Sequence, residues 1–131
     1  MSDILKSFKV KRFIIAVSFT VILIVTTHIP QEFMPNRLEN IGLDKLEHFV
    51  AYGIVTLLFI LSLKNPFTLS WAVIFFFIIS GIGAADELSQ PLVNRGCSLF
   101  DWLADVIGII TVLLSFLYFT SSSRRASPNV D

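Results

Sequence analysis

Four long apolar runs are the feature that most limits what this chain can fold into. They comprise residues 13–29, 46–63, 66–85 and 99–120. Each run is close in length to the roughly 20 residues that a helix needs to cross a bilayer. None of the runs alternates polar with apolar residues, as a barrel strand does. The runs also lack the polar face that a helix of a soluble domain presents to water. The sequence therefore predicts an all-α, membrane-embedded four-helix bundle.

The composition agrees with one embedded unit. Of 131 residues, 54% are hydrophobic and 15% are charged, and the formal net charge is zero. A neutral chain has no general attraction for a polyanion, so we expect no nucleic-acid partner. The single cysteine, Cys97, forms no disulfide within the chain and has no CxxC partner. We predict one transmembrane domain over residues 13–120, between a basic N-terminal segment (1–12) and a short disordered tail (121–131).

The first run has an alternative interpretation as a cleaved signal peptide. Basic residues precede it, as they precede the apolar part of such a peptide. No small-x-small cleavage site follows, and the chain continues instead with Thr27, His28, Ile29 and Pro30. An uncleaved first span is therefore the better interpretation.

Positive charge predicts the orientation of the four spans. Seven basic residues fall on the side of the two termini: Lys6, Lys9, Lys11, Arg12, Lys64, Arg124 and Arg125. Three fall on the other side: Arg37, Lys45 and Arg95. Because cytoplasmic loops carry the excess of Lys and Arg, both termini are predicted to be cytoplasmic. Eight of the ten acidic residues then fall on the outer side, and this bias needs a separate explanation.

Polar residues gather where three predicted helices end on the outer side. DKLEH (44–48) opens the second helix, DELSQ (86–90) closes the third, and RGCSLFDWLAD (95–105) opens the fourth. Some of these residues recur at helical spacing and so share a helix face: Asp44, His48 and Tyr52; Asp86 and Gln90; Asp101 and Asp105. Gly108 continues the last face as a place where another backbone can approach closely. Ser98 and Asp101 form a capping-box pattern, so the fourth helix is predicted to start near Ser98.

The charges of these segments do not balance. Two fixed cations, Lys45 and Arg95, face five of the carboxylates, those of Asp44, Asp86, Glu87, Asp101 and Asp105. Unpaired carboxylates in a shared site of low dielectric must take up protons or bind a cation. We therefore expect these carboxylates to hold either protons or a divalent cation, and oxygen ligands of this kind suit Mg²⁺ or Ca²⁺. The predicted ligands are Asp86, Glu87, Asp101 and Asp105. Asp105 should face the bundle interior, where Lys45, Arg95 or the cation pairs with it.

His48 is the candidate proton carrier of this site. An unperturbed imidazole has a pKa of about 6.5, and Asp44 lies one turn away, where it is expected to orient the ring. Asp44 and Asp101 are the other candidate catalytic residues. His28, at the end of the first run, lacks neighbours at helical spacing and is predicted to be an ordinary interfacial residue.

Four residues are candidates to bind a substrate: Lys45, Arg95, Gln90 and Tyr52. The two cations suit a phosphate or a carboxylate, which Arg95 can bind with two parallel hydrogen bonds. The alternative is that all these charges are interhelical salt bridges and caps at the water boundary. No HExxH, glycine-rich phosphate loop or GxSxG motif names a reaction. Ion or proton transport is disfavoured, because only scattered serines and threonines lie deeper in the spans.

Two segments, DKLEHFVAYG and DELSQPLVNRGCSLFDWLADVIG, resemble the VanZ-like family of small bacterial membrane proteins. The resemblance covers residues 41–115, and the joint occurrence of both segments at this separation is specific. The matching residues are Asp44, Lys45, His48, Tyr52, Glu87, Gln90, Arg95, Asp101, Asp105 and Gly108. Val93-Asn94 stands where members often have Pro-Gly before the arginine.

The resemblance implies a multi-pass protein of the bacterial cytoplasmic (inner) membrane. The family is named for a protein associated with resistance to teicoplanin, a glycopeptide that acts on cell-wall precursors outside that membrane. With the outward polar site, this leads to two expectations. The first is a protein that binds or acts on an anionic envelope lipid or its headgroup, by phosphoester or headgroup-transfer chemistry if it is an enzyme. The second is a non-catalytic membrane factor that affects the envelope or glycopeptide susceptibility.

Overall fold

The protein is helical throughout most of the part that the structure describes. The computed structural model of the chain describes residues 7–33 and 41–126, with the backbone alone for residues 31, 41, 42 and 123–126. Lys6, Arg37 and residues 127–131 of the predicted tail lie outside this part. The helices are α1 (Val10–Thr27), α2 (Ile41–Ser62), α3 (Leu69–Ser89) and α4 (Leu99–Ala126), with 3-10 turns at Gln31–Phe33 and Gln90–Val93.

All four helices are long and apolar enough to cross a membrane. Their apolar stretches are Val10–Thr27, Leu43–Ser62, Leu69–Val93 and Leu99–Ser122. Large apolar side chains point away from the bundle: Phe77 on α3 and Leu114 on α4 are 68% and 60% exposed. Lipid tails solvate such side chains, whereas water does not. The predicted all-α four-helix bundle is confirmed, and the cytoplasmic placement of its termini stays a prediction.

All four helices extend beyond the predicted apolar runs at one end, α2 and α4 the furthest. α2 begins at Ile41, so DKLEH lies within its first turns. α4 continues to Ala126, into the predicted tail. Polar residues there are still helical, and the Ser121 hydroxyl donates to the Leu117 carbonyl at 2.7 Å. An apolar run in the sequence therefore marks the part of a helix that suits lipid. The helix itself continues beyond the run into polar residues.

The connection between α2 and α3 includes Pro66, which lies before the helix. The third apolar run starts at this proline, but α3 begins at Leu69 after the N-cap Thr68. Residues 62–64 pair with the start of the chain, because Lys9 N donates to Ser62 O at 2.7 Å and Lys64 N to Ser7 O at 2.8 Å. This pairing holds the segment extended, and the helix starts only after it.

The four helices alternate in direction, which gives the bundle two opposite ends. The basic end comprises the starts of α1 and α3 and the ends of α2 and α4; there Phe8 pairs with Leu63. The acidic end comprises the opposite termini, and there Lys45 contacts Asp101. α2 lies at the centre, packed against α1 and α4, and α3 packs mainly against α4.

The interior differs between the two ends. Near the basic end it is aromatic, and the rings of Phe8, Phe67 and Trp71 lie 6.5, 6.4 and 5.5 Å from that of Phe75. Towards the acidic end the deepest side chains carry polar atoms: Asp105 is 0% and Tyr52 1% exposed. The bundle therefore excludes water by apolar packing at one end and encloses ionisable groups at the other.

α2 and α4 approach each other closely at Gly108. A Cβ at this position would overlap the carbonyl group of Phe49, which confirms that another backbone meets this face. His48 precedes Phe49, and Asp105 lies about one turn before Gly108. The close crossing therefore brings these two side chains together.

Candidate functional site at the acidic end

Asp105, and not Asp44, orients the imidazole of His48. His48 Nδ1 lies 3.0 Å from Asp105 Oδ1, and because a carboxylate only accepts, Nδ1 is the donor. The two side chains are 9% and 0% exposed. Asp44 shares a helix face with His48 as predicted, but the α2–α4 crossing delivers Asp105 to the ring directly. His48 also replaces Lys45 and Arg95, the residues predicted to pair with Asp105.

Glu87 at the end of α3 joins three segments of the chain. Its Oε1 accepts a hydrogen bond from Gln90 Nε2 at 2.8 Å, and its Oε2 accepts one from Ser98 N at 2.9 Å. Its Oε1 also lies 3.8 Å from His48 Nε2. The Ser98 hydroxyl accepts from Asp101 N at 3.3 Å as the capping box predicts, while Glu87 takes the backbone N–H that the pattern assigns to Asp101. Gln90, a predicted substrate ligand, is buried against Glu87.

Lys45 and Asp101 form an ion pair between α2 and α4. Lys45 Nζ lies 2.7 Å from Asp101 Oδ1, and the side chains are 34% and 11% exposed. The ammonium group is thus partly solvated, and such pairs contribute modestly to stability. One of the two predicted anion-binding cations is therefore engaged with a carboxylate of the chain.

Three donor atoms of different residue types converge between α2, α3 and α4. One donor atom each of His48, Glu87 and Asp101 lies within 4.8 Å of the others, and all three residues are buried. Of the four carboxylates predicted to bind a cation, this group contains Glu87 and Asp101. Asp105 supports the group through its hydrogen bond to His48, and Asp86 lies elsewhere.

Asp86 faces α1. Its Oδ1 accepts a hydrogen bond from the Thr27 hydroxyl at 2.7 Å and lies 3.4 Å from His28 Nδ1. His28 Nε2 is 2.9 Å from Ser89 Oγ. His28 therefore has specific neighbours on α3, in addition to its position at the end of α1. Helical spacing cannot predict a contact between residues of different helices. The sequence indicates this contact only by predicting that the end of α1 and the end of α3 lie on the same side of the membrane.

Three buried oxygen atoms lack a hydrogen-bond partner among the described residues. They are Tyr52 Oη, Asp86 Oδ2 and Asp105 Oδ2. Gly83 of α3 makes room for two of these side chains, because a Cβ there would lie 3.1 Å from Asp105 Oδ2 and 3.2 Å from Tyr52 Cε1. Buried polar atoms of this kind are costly unless a proton, water or ion satisfies them. Tyr52, a predicted substrate ligand, offers its hydroxyl here.

A cavity of about 410 Å³ lies between the end of α1 and the start of α2. Its polar wall includes Asp44, Glu47, His48, Tyr52 and Arg95, and its apolar wall includes Leu23, Ile29 and Phe33. Within the described part of the chain, the Arg95 guanidinium forms no ion pair. His48 belongs both to this cavity and to the three converging donors. The predicted site is therefore one region with two connected parts, to which Asp86 is a neighbour.

No family model matches this chain, and no curated protein or solved structure matches it.

Proposed function

We propose that this chain is a VanZ-like protein of the bacterial cytoplasmic membrane whose cavity binds the phosphate-bearing headgroup of an anionic envelope lipid. The supporting observation is Arg95, which lines the cavity and has no ion pair within the described residues. A guanidinium offers two parallel donors to a phosphate. The excess of basic residues on the side of the termini supports an outward-facing cavity.

The mixed walls of the cavity suit a lipid better than a soluble anion. Leu23, Ile29 and Phe33 provide apolar surface for the glycerol and acyl part of the molecule. Asp44 can accept hydrogen bonds from hydroxyl or amine groups of the headgroup. The volume of about 410 Å³ falls within the range of about 300–1,000 Å³ that is typical of small-molecule sites.

The His48–Asp105 pair supports an acid–base role if the protein is an enzyme. Asp105 fixes Nδ1 of the ring, which leaves Nε2 as the nitrogen that exchanges a proton with a bound headgroup. The reaction would then be a phosphoester cleavage or headgroup transfer, with Asp44 and Asp101 as the nearby carboxylates. In this role Nε2 must be free of a permanent ligand.

A non-catalytic membrane factor is the second candidate, and the Lys45–Asp101 pair favours it. This pair links α2 to α4, and Glu87 links α3 to the start of α4. In this second candidate, the charges have the single role of joining helices. Asp101→Asn separates the two candidates. Normal protein levels with stronger binding of the anionic lipid support a site, because the variant removes a negative charge and releases Lys45 from its ion pair. Loss of folded protein supports a structural role.

Native mass spectrometry of the detergent-solubilised protein tests lipid binding. Phosphatidylglycerol and phosphatidylcholine are added at equal concentrations, and we expect the anionic lipid to bind preferentially. Arg95→Ala should weaken phosphatidylglycerol binding at least about tenfold, because hydrogen bonds to charged groups contribute about 1.5–3 kcal/mol. The matched control is Arg12→Ala at the basic end, where the guanidinium donates to Leu61 O at 3.2 Å. Undiminished phosphatidylglycerol binding by folded Arg95→Ala would contradict the proposal.

A further inference from the structure

We infer that His48, Glu87 and Asp101 form a binding site for a divalent transition-metal ion of the Zn²⁺ type. This inference goes beyond lipid binding and does not depend on it, because all three ligands belong to the chain. One donor atom of each residue lies within 4.8 Å of the others, and all three residues are buried. They come from α2, α3 and α4, so a bound ion would connect three of the four helices.

The geometry of His48 is that of a metal ligand with a supporting carboxylate. Asp105 accepts the Nδ1 hydrogen at 3.0 Å, which leaves the lone pair of Nε2 directed away from Asp105. Metal-bound histidines commonly donate their other N–H to a carboxylate in this way. The imidazole is only 9% exposed, so most of the ring is shielded from bulk water.

The distance from His48 to Glu87 fits an ion better than a hydrogen bond. Nε2 and Oε1 are 3.8 Å apart, beyond the range of a hydrogen bond. Two ligands of a tetrahedral zinc ion, each about 2.0–2.2 Å from the metal, lie about 3.4 Å from each other. A shift of a few tenths of an ångström in either side chain therefore brings these two donor atoms to the spacing of two zinc ligands.

The charges around these donors favour a doubly charged cation. Three buried carboxylates, Glu87, Asp101 and Asp105, face one ammonium group, that of Lys45. With a neutral imidazole, two negative charges lack compensation, and uncompensated charges are costly away from water. In addition, Asp105 Oδ2 is buried without a partner among the described residues. A divalent ion bound between these residues would neutralise the two excess negative charges.

The donor set selects a borderline metal rather than Mg²⁺ or Ca²⁺. Four carboxylates, as predicted from the sequence, suit a hard ion with oxygen ligands only. The structure instead supplies one imidazole nitrogen and two carboxylates, and imidazole suits zinc and its neighbours. Three protein ligands leave a fourth position for water or for a phosphate oxygen. An ion on Nε2 also excludes His48 as the proton carrier, so the two roles of this residue are mutually exclusive.

Metal titration of the purified full chain in detergent, without added lipid, tests the inference. After treatment with a chelator, we expect a single equivalent of Zn²⁺ to bind, observed by calorimetry, without competition from excess Mg²⁺. Co²⁺ in its place should give the intense visible absorption of a four-coordinate ion. Absence of stoichiometric binding in the wild-type protein would overturn the inference, and it would leave the Arg95 lipid experiment unaffected.

Variants identify the ligands in the same experiment. His48→Gln and Glu87→Gln should each weaken Zn²⁺ binding at least about 100-fold, whereas Asp105→Asn should weaken it about 10–100-fold at unchanged stoichiometry. The matched control is His28→Gln, a histidine of the acidic end that contacts Asp86 and Ser89 and should leave binding unchanged. Equal loss in the control would assign the ion elsewhere and overturn the inference. If one ligand variant does not fold, the other variant and the cobalt spectrum of the wild-type protein show whether these residues bind the ion.

Discussion

His48 and Asp105 are joined by a 3.0 Å hydrogen bond although they lie 57 positions apart in the chain. The bond forms where the backbone of α4 meets that of α2, at Gly108 and Phe49. A glycine is needed at that crossing, and the polar pair depends on the crossing. The close packing of α2 against α4 therefore determines which polar side chains meet in the site.

Gly108→Ala should destabilise the bundle and disturb the site together. The added methyl group overlaps the Phe49 carbonyl, so the helices must separate, and overpacking of this kind costs about 1–3 kcal/mol. Unfolding in sodium dodecyl sulfate measures the loss. Gly81→Ala is the control, because a Cβ at Gly81 meets nothing within 4 Å and helix propensity favours alanine by about 1 kcal/mol. Equal stability of the two variants would show that the crossing tolerates a side chain.

The His48–Asp105 pair should appear as a coupling energy in a double-mutant cycle. His48→Ala and Asp105→Ala each leave a buried polar partner unsatisfied, at a cost of about 1–3 kcal/mol. The double variant should lose less than the sum, with a coupling of about 1–3 kcal/mol. Asp105→Ala combined with Ser121→Ala, at the other end of α4, should be additive. Additivity in the first pair would mean that the hydrogen bond contributes little to folding.

Cys97 provides a direct test of orientation. It is exposed and precedes α4 at the acidic end, and the distribution of basic residues predicts that this end lies outside. A membrane-impermeant maleimide added to spheroplasts should therefore label the wild-type protein. The control carries Cys97→Ser and Lys64→Cys, which moves the thiol to the exposed Lys64 position at the basic end, and it should react only after permeabilisation. The reverse pattern would place the cavity on the cytoplasmic side.

The number and type of the helices were predictable because apolar length and the absence of alternation are properties of the sequence itself. The partners of the polar residues were not. Helical spacing reports which residues share a face, as Asp44 and His48 do, but not which residue of another helix reaches that face. Successive helical residues differ by about 100° in direction, and so Asp86 contacts α1 while Glu87 contacts the start of α4.

The turn before Arg95 shows how a departure from a sequence pattern can keep its geometry. Asn94 stands where the resembling family often has glycine. Its φ of 59° is left-handed, a conformation that glycine adopts freely and that asparagine tolerates better than most residues. Asn94 therefore holds this turn in a backbone conformation that glycine also adopts.

Lys45→Gln should change metal and lipid binding in opposite directions. The ammonium group lies 2.7 Å from Asp101 and competes with a cation for that carboxylate, so its removal should raise the Zn²⁺ affinity about tenfold, as expected for loss of a nearby like charge in a partly buried site. The affinity for phosphatidylglycerol should fall, because loss of the ammonium group leaves Asp101, which lies close to the cavity-lining His48, as an uncompensated negative charge. Calorimetry and native mass spectrometry measure the two effects on the same preparation. Lys64→Gln, a matched change at the basic end, should alter neither. Weaker Zn²⁺ binding by Lys45→Gln would show that the lysine holds Asp101 in place as a ligand instead of competing for it.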